Sequence, residues 1–212
     1  MKRLVGLRGA RAAAATGVTG LVAATVLLTT ALPASAQTTI KVRYPVKGST
    51  TLAKVNSTAA LGPGTLTSTV NLVTGAVRAN LKLPPATVSF KQFGLIPVTA
   101  TTAFIQDGPT TGKIDLNTGA VSTTSHITLQ ITSLTVAGIP TPVGSACESK
   151  TPATVAVTSQ PGFSIVNGGN LSGTYTIPPF ANCGLVTALL NLTVPGPGNT
   201  ITLTLGKAKR IG

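Results

Sequence analysis

His126 is the only histidine of the chain, so any catalytic triad that uses histidine must include it. Apolar and polar residues alternate in HITLQITSLTV (126–136), which predicts a half-buried strand. Strand parity then places His126 on the polar face with Thr128 and Gln130, and the neighbouring Ser125 on the opposite face. No G-x-S-x-G segment is present. We therefore interpret His126 as an exposed strand residue, with a Ser-His-Asp site as the alternative.

Asp107, Asp115 and Glu148 are the only acids, and a glycosidase would need two carboxyl groups about 5 to 9 Å apart. Asp107 and Asp115 flank the loop GPTTGKI, which would allow them to lie close together. However, Asp107 precedes glycine as in a turn, and Asp115 takes the place of Asn71 in a repeated heptapeptide. An amide at the equivalent position indicates a turn that requires no charge. We predict no catalytic residue and no enzyme, with a hydrolase of unrecognised site as an alternative.

The heptapeptide occurs as NLVTGAV at 71–77 and as DLNTGAV at 115–121, which is 44 residues later. Gly94 and Gly138 are also 44 residues apart, so segments 67–98 and 111–144 look like two copies of one hairpin-plus-strand unit. In each copy we expect the Asx side chain to bond the backbone and Gly75 or Gly119 to take the left-handed conformation. Two copies are too few for a solenoid, so the repetition predicts two related hairpins in one domain.

Cys147 and Cys183 are the only cysteines. In an exported protein such a pair predicts a disulfide bond. The alternative, a metal or redox pair, lacks a C-x-x-C spacing and the histidines that would complete a site. The Gly-rich segments are interrupted by Pro and match neither a phosphate loop nor a dinucleotide fingerprint. No metal or other cofactor is expected.

The N-terminus has the order of a secretory signal peptide. Four basic residues precede an uncharged run at 12–32, and the small-residue segment ASA follows at 34–36. We predict cleavage after Ala36, a secreted single domain over 37–212 and no further transmembrane segment. A retained membrane anchor is the alternative, because the apolar run is long enough to span a bilayer.

The predicted mature chain is basic, since twelve Lys and Arg remain against three acids and give a net charge of +9. Such a surplus can hold a secreted protein near anionic cell-wall polymers or lipid headgroups. The basic residues would form one patch if the first and last strands were neighbours, and an ordinary solvated surface is the alternative. Nucleic acid is not expected as a partner, because the chain has no Trp and few other aromatic residues for stacking. The candidate contact residues are Lys41, Arg43, Lys47, Lys54, Lys207, Lys209 and Arg210.

Alternation with a period of two dominates the rest of the chain. The segments TIKVRY (39–44), HITLQITSLTV (126–136) and TITLTL (200–205) predict strands, and LVTALLNL (185–192) is the one candidate helix. Turns are predicted at GPG (62–64), PP (84–85), DGP (107–109), GG (168–169) and PGPGN (195–199). We therefore expect an all-β domain, a single antiparallel β-sandwich or a partly open barrel, with one short C-terminal helix and one disulfide.

The segment TYTIPPFANCGLVTALLNLTVPGPGNTITLTL (174–205), with the TGAV turns and the long Ala-rich signal, resembles a group of secreted β-rich proteins of actinobacteria. The resemblance covers most of the predicted mature chain. Because that group has no established activity, the resemblance implies an extracytoplasmic compartment and a β-rich domain, and it transfers no catalytic residue. Its most distinctive residues are Pro178, Pro179, Phe180, Cys183, Gly184, Gly196, Pro197, Gly198 and Asn199.

The leading hypothesis is a non-catalytic protein, secreted or associated with the cell envelope, that binds or builds through a basic surface. The alternative is an extracellular carrier of an apolar small molecule or lipid, with its pocket between the sheets or under residues 180–194. Thr-rich polar faces favour a monomer, although an exposed sheet edge could pair with a partner.

Overall fold

The computed structural model describes residues 38–211. The predicted signal peptide and its cleavage site after Ala36 lie outside the described residues. The strands are β1 (Thr39–Leu52), β2 (Ser57–Asn71), β3 (Ala76–Lys82), β4 (Ala86–Gln92), β5 (Ile96–Gln106), β6 (Thr110–Ile114), β7 (Val121–Val136), β8 (Ile139–Pro140), β9 (Glu148–Ser149), β10 (Ala153–Ser159), β11 (Gly169–Ile177), β12 (Phe180–Ala181), β13 (Gly196–Leu205) and β14 (Lys209–Arg210). A 3-10 turn at Gly184–Val186 leads into the helix α1 (Thr187–Thr193).

Alternating burial explains why these segments form strands. In β1, Val42, Tyr44 and Val46 are buried, whereas the residues between them are exposed. Such a pattern covers one face of a pleated strand with apolar side chains and leaves the other face to solvent. The strands predicted at 39–44, 126–136 and 200–205 are confirmed as parts of β1, β7 and β13, and the helix predicted at 185–192 is confirmed as the 3-10 turn and α1.

Eight antiparallel strands form a closed ring in the order β1, β2, β3, β6, β7, β10, β11 and β13. The pairing of β13 with β1 runs from Val46↔Leu205 to Thr51↔Thr200. The pairing of β7 with β10, through Ala153↔Ile127 and the residues that follow, completes the circuit. The prediction of an all-β domain is therefore confirmed, in the form of an eight-stranded antiparallel barrel with additional strands.

The additional strands continue the long hairpins beyond the ring. β5 and β6 lie end to end along the same edge of β7, with Gln106↔Ile127 as the last pair of β5 and Thr111↔Thr124 as the first pair of β6. β3 and β4 likewise follow one another, because β3 pairs with β6 and β4 pairs with β5. The strands β8, β9 and β12 are short additions to this extension.

Several segments predicted as turns do not reverse the direction of the chain. Most of them are bulges or bends between strand portions that run in the same direction. Segment 62–64 lies inside β2, where the register with β1 shifts between Val46 and Gly48. Segment 84–85 joins β3 to β4, segment 107–109 joins β5 to β6, and residues 196–199 begin β13. The prediction of turns at these positions was wrong, because Gly and Pro also mark bulges and bends within long strands.

The main apolar core extends from the ring into the additional strands. Cys147 and Cys183 form the predicted disulfide, which joins the segment before β9 to the segment before α1. The side chain of Asn191 in α1 accepts a hydrogen bond from the Phe180 N–H at 2.7 Å and donates one to its carbonyl at 2.9 Å. The helix is therefore fixed by a buried Leu190, by this amide and by the adjacent disulfide.

Candidate functional site

The first and last strands are neighbours, as a single basic patch requires. β1 pairs with β14, so that Arg43 lies directly opposite Lys209. Lys41, Arg43 and Lys47 are exposed and alternate with buried residues, so they share the outward face of β1. Lys207 lies in the link between β13 and β14, two residues before Lys209, and is exposed. Five of the seven predicted contact residues thus belong to one surface.

Two further strands add basic residues that the sequence analysis did not single out. Arg78 and Lys82 are exposed on β3, and Lys113 is exposed on β6. One row of paired residues crosses β1, β2, β3 and β6 as Lys41, Thr69, Arg78 and Thr111. Because neighbouring strands lie about 4.8 Å apart, the backbones of Lys41 and Arg78 are separated by about 10 Å. We call the following eight residues the basic face: Lys41, Arg43, Lys47, Arg78, Lys82, Lys113, Lys207 and Lys209.

Two predicted contact residues lie apart from the basic face. Lys54 is in the turn between β1 and β2, where its Nζ donates to the Leu192 carbonyl at 3.3 Å. Arg210 pairs with the buried Val42, so strand parity directs it to the side of β14 opposite Lys209. These two residues were grouped with the others because they are close to them in the sequence, and the turn that holds Lys54 and the strand parity of Arg210 separate them from the face.

Of the three acidic residues, Asp115 borders the basic face, because it follows Lys113 by two residues, and the other two lie in other segments. Asp107 is in the link between β5 and β6, Asp115 is in the turn after β6, and Glu148 begins β9. The outward residues of β2 between the basic strands include Thr65, Thr67 and Thr69. The surface therefore combines concentrated positive charge with hydroxyl groups, and this combination suits phosphate or carboxylate groups.

Asp115 and Asn71 have the same turn geometry, as the repeat predicts. Asp115 Oδ1 accepts hydrogen bonds at 2.8 and 3.0 Å from the N–H groups two and three residues later. Asn71 Oδ1 accepts the equivalent bonds at 2.8 and 2.9 Å. Gly75 and Gly119 have φ angles of +70° and +76°, which confirms the left-handed position. The N–H groups of Thr118 and Asn117 hold the pKa of Asp115 below its ordinary value.

His126 and Ser125 lie on opposite faces of β7, as strand parity predicts. His126 is exposed, and its Nδ1 lies 3.3 Å from Thr154 Oγ1. Ser125 points into the barrel, where its Oγ lies 2.7 Å from Thr110 Oγ1. The structure therefore does not bring this serine and this histidine together.

The interior of the barrel contains two adjoining cavities, each of about 70 Å³. The first cavity is lined by inward residues of the ring and by Phe163 and Ile165 from segment 160–168. The second cavity lies towards Phe104 and Tyr175. The residues that line both cavities are Leu81, Ser125, Val157 and Leu203. Sequence reasoning placed an apolar pocket either between the sheets or under residues 180–194, and no residue of that segment lines either cavity.

A small hydrogen-bonded group lies among the residues that line these cavities. Gln106 Nε2 donates to Thr110 Oγ1 and to the Ala79 carbonyl, both at 3.1 Å. Gln106 Oε1 accepts from the Leu81 N–H at 2.8 Å. Thr110 also contacts the Ser125 hydroxyl. The hydrogen-bonded side chains of Gln106, Thr110 and Ser125 therefore supply polar groups to a mostly apolar interior.

Two tyrosines also direct their hydroxyl groups inward. The Tyr44 hydroxyl donates to the Ile165 carbonyl at 2.7 Å, and burial raises the pKa of Tyr44 to about 12. The Tyr175 hydroxyl lies 2.7 Å from Thr50 Oγ1. Burial raises the pKa of Tyr175, and the hydrogen bond with Thr50 opposes this effect. Both hydroxyl groups are therefore protonated at neutral pH.

Comparisons with known proteins give no relative: no family model, no curated protein and no solved structure matches the chain. Within residues 38–211, no group of three or more His, Cys, Asp or Glu side chains is arranged to hold a metal ion. The helical segments of that same range are too short or too polar to cross a bilayer.

Proposed function

We propose that this protein is a non-catalytic extracellular protein that binds anionic cell-wall polymers or lipid headgroups through the basic face. The observation that carries the proposal is the placement of seven exposed basic side chains on the paired strands β14, β1, β3 and β6, with Lys207 in the link before β14 and with Asp115 as the one acidic residue at the border of this surface. Repeated phosphate or carboxylate groups along a polymer or membrane surface would match such an extended field.

The pairing of Arg43 with Lys209 supports the proposal. Like charges directly opposite each other on neighbouring strands destabilise a sheet. The next residue of this row on β2 is Thr67, so no carboxylate stands beside Arg43 on that side. An anionic ligand would relieve this repulsion, since its charge would lie against both side chains.

The compartment and the packing of the domain belong to the same proposal. A disulfide suits an oxidising extracytoplasmic environment, and the order of the N-terminal sequence is that of an export signal. The predicted sandwich would correspond to a flattening of the ring, with β4, β5 and the second half of β7 stacked on β1 and β2. The hydroxyl of Ser57 in β2, which donates to the Ser89 carbonyl of β4, supports such stacking.

The experiment is sedimentation of the purified protein with cell envelopes of its host across a salt series. The test variant is the triple change Lys41→Gln, Arg43→Gln and Lys209→Gln. Each basic side chain near an anionic surface contributes about 1 kcal/mol, so the variant should bind more than about a hundredfold more weakly at low salt. Binding of the unchanged protein should fade as salt rises.

The matched control is the triple change Lys54→Gln, Lys91→Gln and Lys150→Gln, which removes the same charge from exposed positions outside the basic face. The control should retain most of the binding. Equal losses in the two variants would show that net charge decides retention, which contradicts a specific face. Failure of the unchanged protein to sediment at any salt concentration would overturn the proposal.

The second candidate function is that of a carrier for an apolar small molecule. The adjoining interior cavities favour it, because the interior of an eight-stranded barrel is wide enough to hold one small ligand. Native mass spectrometry of the freshly purified protein distinguishes the two functions, since a carrier should retain a bound molecule in a medium that removes ions.

A further inference from the structure

We propose that the barrel interior binds one small apolar molecule, of the size of a single aromatic ring, that carries one oxygen as a hydrogen-bond acceptor. The site comprises the two adjoining cavities, and the hydroxyl pair of Thr110 and Ser125 provides its polar contact. It is separate from the basic face, because Tyr44 and Val46 line it from the inward side of β1 and Arg43 lies on the outward side.

The size of the site limits its ligand. Each cavity has a volume of about 70 Å³, and the shared lining of Leu81, Ser125, Val157 and Leu203 makes the two cavities adjacent. An apolar cavity of about 150 Å³ in a protein core can bind benzene, which is comparable with the two cavities together. Drug-sized ligands occupy pockets of about 300 Å³ or more, so a long acyl chain is too large for this interior.

The polar contact follows from counting hydrogens on Thr110 and Ser125. The two hydroxyl groups carry two hydrogens and share one hydrogen bond of 2.7 Å. Thr110 Oγ1 also accepts a bond from Gln106 Nε2, which uses no hydroxyl hydrogen. One hydroxyl hydrogen of the pair therefore has no protein acceptor among the hydrogen bonds of residues 38–211. Since Ser125 lines both cavities and Thr110 lines the first, a ligand oxygen placed beside the pair would accept this hydrogen from whichever residue carries it.

Segment 160–168 provides the route into the site. Its residues Phe163 and Ile165 line the first cavity, and the segment joins β10 to β11 without belonging to the ring. It is held to other parts of the chain by the Tyr44 hydroxyl, which donates to Ile165, and by the Ala208 N–H, which donates to the Val166 carbonyl at 2.9 Å. Movement of this connection would open the first cavity without breaking a pairing between strands of the ring.

The test is a titration of the isotopically labelled protein with benzyl alcohol and, in parallel, with toluene, followed by amide NMR shifts. Benzyl alcohol should shift the amide resonances of residues that line the cavities. It should bind about tenfold more tightly than toluene, because the free energy of one neutral hydrogen bond corresponds to about a tenfold change in affinity. Thr110→Val combined with Ser125→Ala removes both hydroxyl groups of the pair, so this double variant should weaken benzyl alcohol binding to the level of toluene and leave toluene binding unchanged.

Val157→Phe should abolish binding of both compounds, since Val157 lines both cavities. The double variant of Thr110 and Ser125 keeps the test valid if the larger phenylalanine side chain prevents folding. An absence of shifts at cavity residues with both compounds would overturn the proposal and would indicate an interior that holds only water. Equal affinity for the two compounds, or a double variant of Thr110 and Ser125 that still prefers benzyl alcohol, would overturn the assigned polar contact.

Discussion

At the scale of single residues, Asp115 shows how a carboxylate can have a conformational role. It accepts two backbone hydrogen bonds with nearly the same lengths as those of Asn71 in the other repeat. The backbone N–H groups that bond the carboxylate also explain why its pKa is lowered. The repeat in the sequence made this role predictable, because an amide and a carboxylate stand at equivalent positions.

The change Asp115→Asn should therefore leave folding intact, whereas Asp115→Ala should lower the melting temperature. The folded-state pKa of Asp115 is below the unfolded value, so its contribution to stability is present above the unfolded pKa and is lost as pH falls through the folded pKa. Thermal denaturation over an acidic pH series measures this effect. Asn71→Asp is the control for the reverse exchange, and a melting temperature of Asp115→Asn at neutral pH as low as that of Asp115→Ala would contradict the interpretation.

Tyr44 has the opposite dependence on pH. Burial raises its pKa from the ordinary 10.0 to about 12, so the folded protein holds the phenolic proton more tightly than the unfolded chain. Below pH 10, the Tyr44 hydroxyl should not make the free energy of unfolding depend on pH. As pH rises from 10 towards 12, it should lower the free energy of unfolding. Tyr44→Phe should make this alkaline decline shallower.

The same Tyr44→Phe change should also release segment 160–168. Loss of the bond to the Ile165 carbonyl should destabilise the protein by about 1 kcal/mol at neutral pH. Hydrogen exchange should accelerate at Ser164 and Gly168, whose N–H groups bond each other's carbonyls at 2.8 and 2.9 Å. Unchanged exchange in this segment would show that Tyr44 does not hold it in place.

At the scale of elements, the sequence predicts the strands better than their connections. Period-two alternation predicted parts of β1, β7 and β13, and the apolar segment before β13 predicted α1. The turns predicted from Gly and Pro at 62–64 and 107–109 were wrong, because bulges and turns use the same residues. Only tertiary pairing separates the two cases, since a bulge exists only against a partner strand. The extra basic residues of β3 and β6 were missed for a related reason, because their position beside β1 depends on strand order.

The disulfide links the two irregular segments that precede β9 and α1. Cys147 and Cys183 are 36 positions apart, and closing a loop of this length stabilises a protein by about 4 kcal/mol in the chain-entropy model. Cys147→Ser with Cys183→Ser should lower the free energy of unfolding in urea by about this amount. Amides of α1 should lose more protection from exchange than amides of β1 and β2, which pair along thirteen residue positions. Uniform loss of protection would contradict a local role for the disulfide.

At the scale of the whole molecule, closure of the ring could not be derived from the sequence. It requires β10 to meet β7 and β13 to return to β1, and these contacts join strands far apart in the chain. Local alternation indicates only that each strand has one buried face. The strands of a sandwich and those of a barrel both have this property. The same long-range pairing brings β14 beside β1 and creates the basic face. The kind of residue in the candidate site was therefore predictable from the sequence. The arrangement of these residues on one face was not, because it depends on which strands pair.

A protein that keeps like charges together for binding should become more stable when one of them is removed. Lys209→Gln removes the repulsion with Arg43 and should raise the free energy of unfolding by about 0.2 to 1 kcal/mol at low ionic strength. The gain should disappear in concentrated salt, where the charges are screened, and envelope binding should weaken in the same variant. Urea denaturation at two salt concentrations measures the first effect, and sedimentation measures the second.

Lys91→Gln is the control for this prediction, because Lys91 is exposed and lies opposite the uncharged Pro97. It should change neither the stability nor the envelope binding appreciably. A gain in Lys91→Gln as large as that in Lys209→Gln would assign the effect to the net charge of the molecule. A loss of stability in Lys209→Gln would mean that contacts of the lysine stem outweigh the repulsion, and the basic face would then need no ligand to explain its charge.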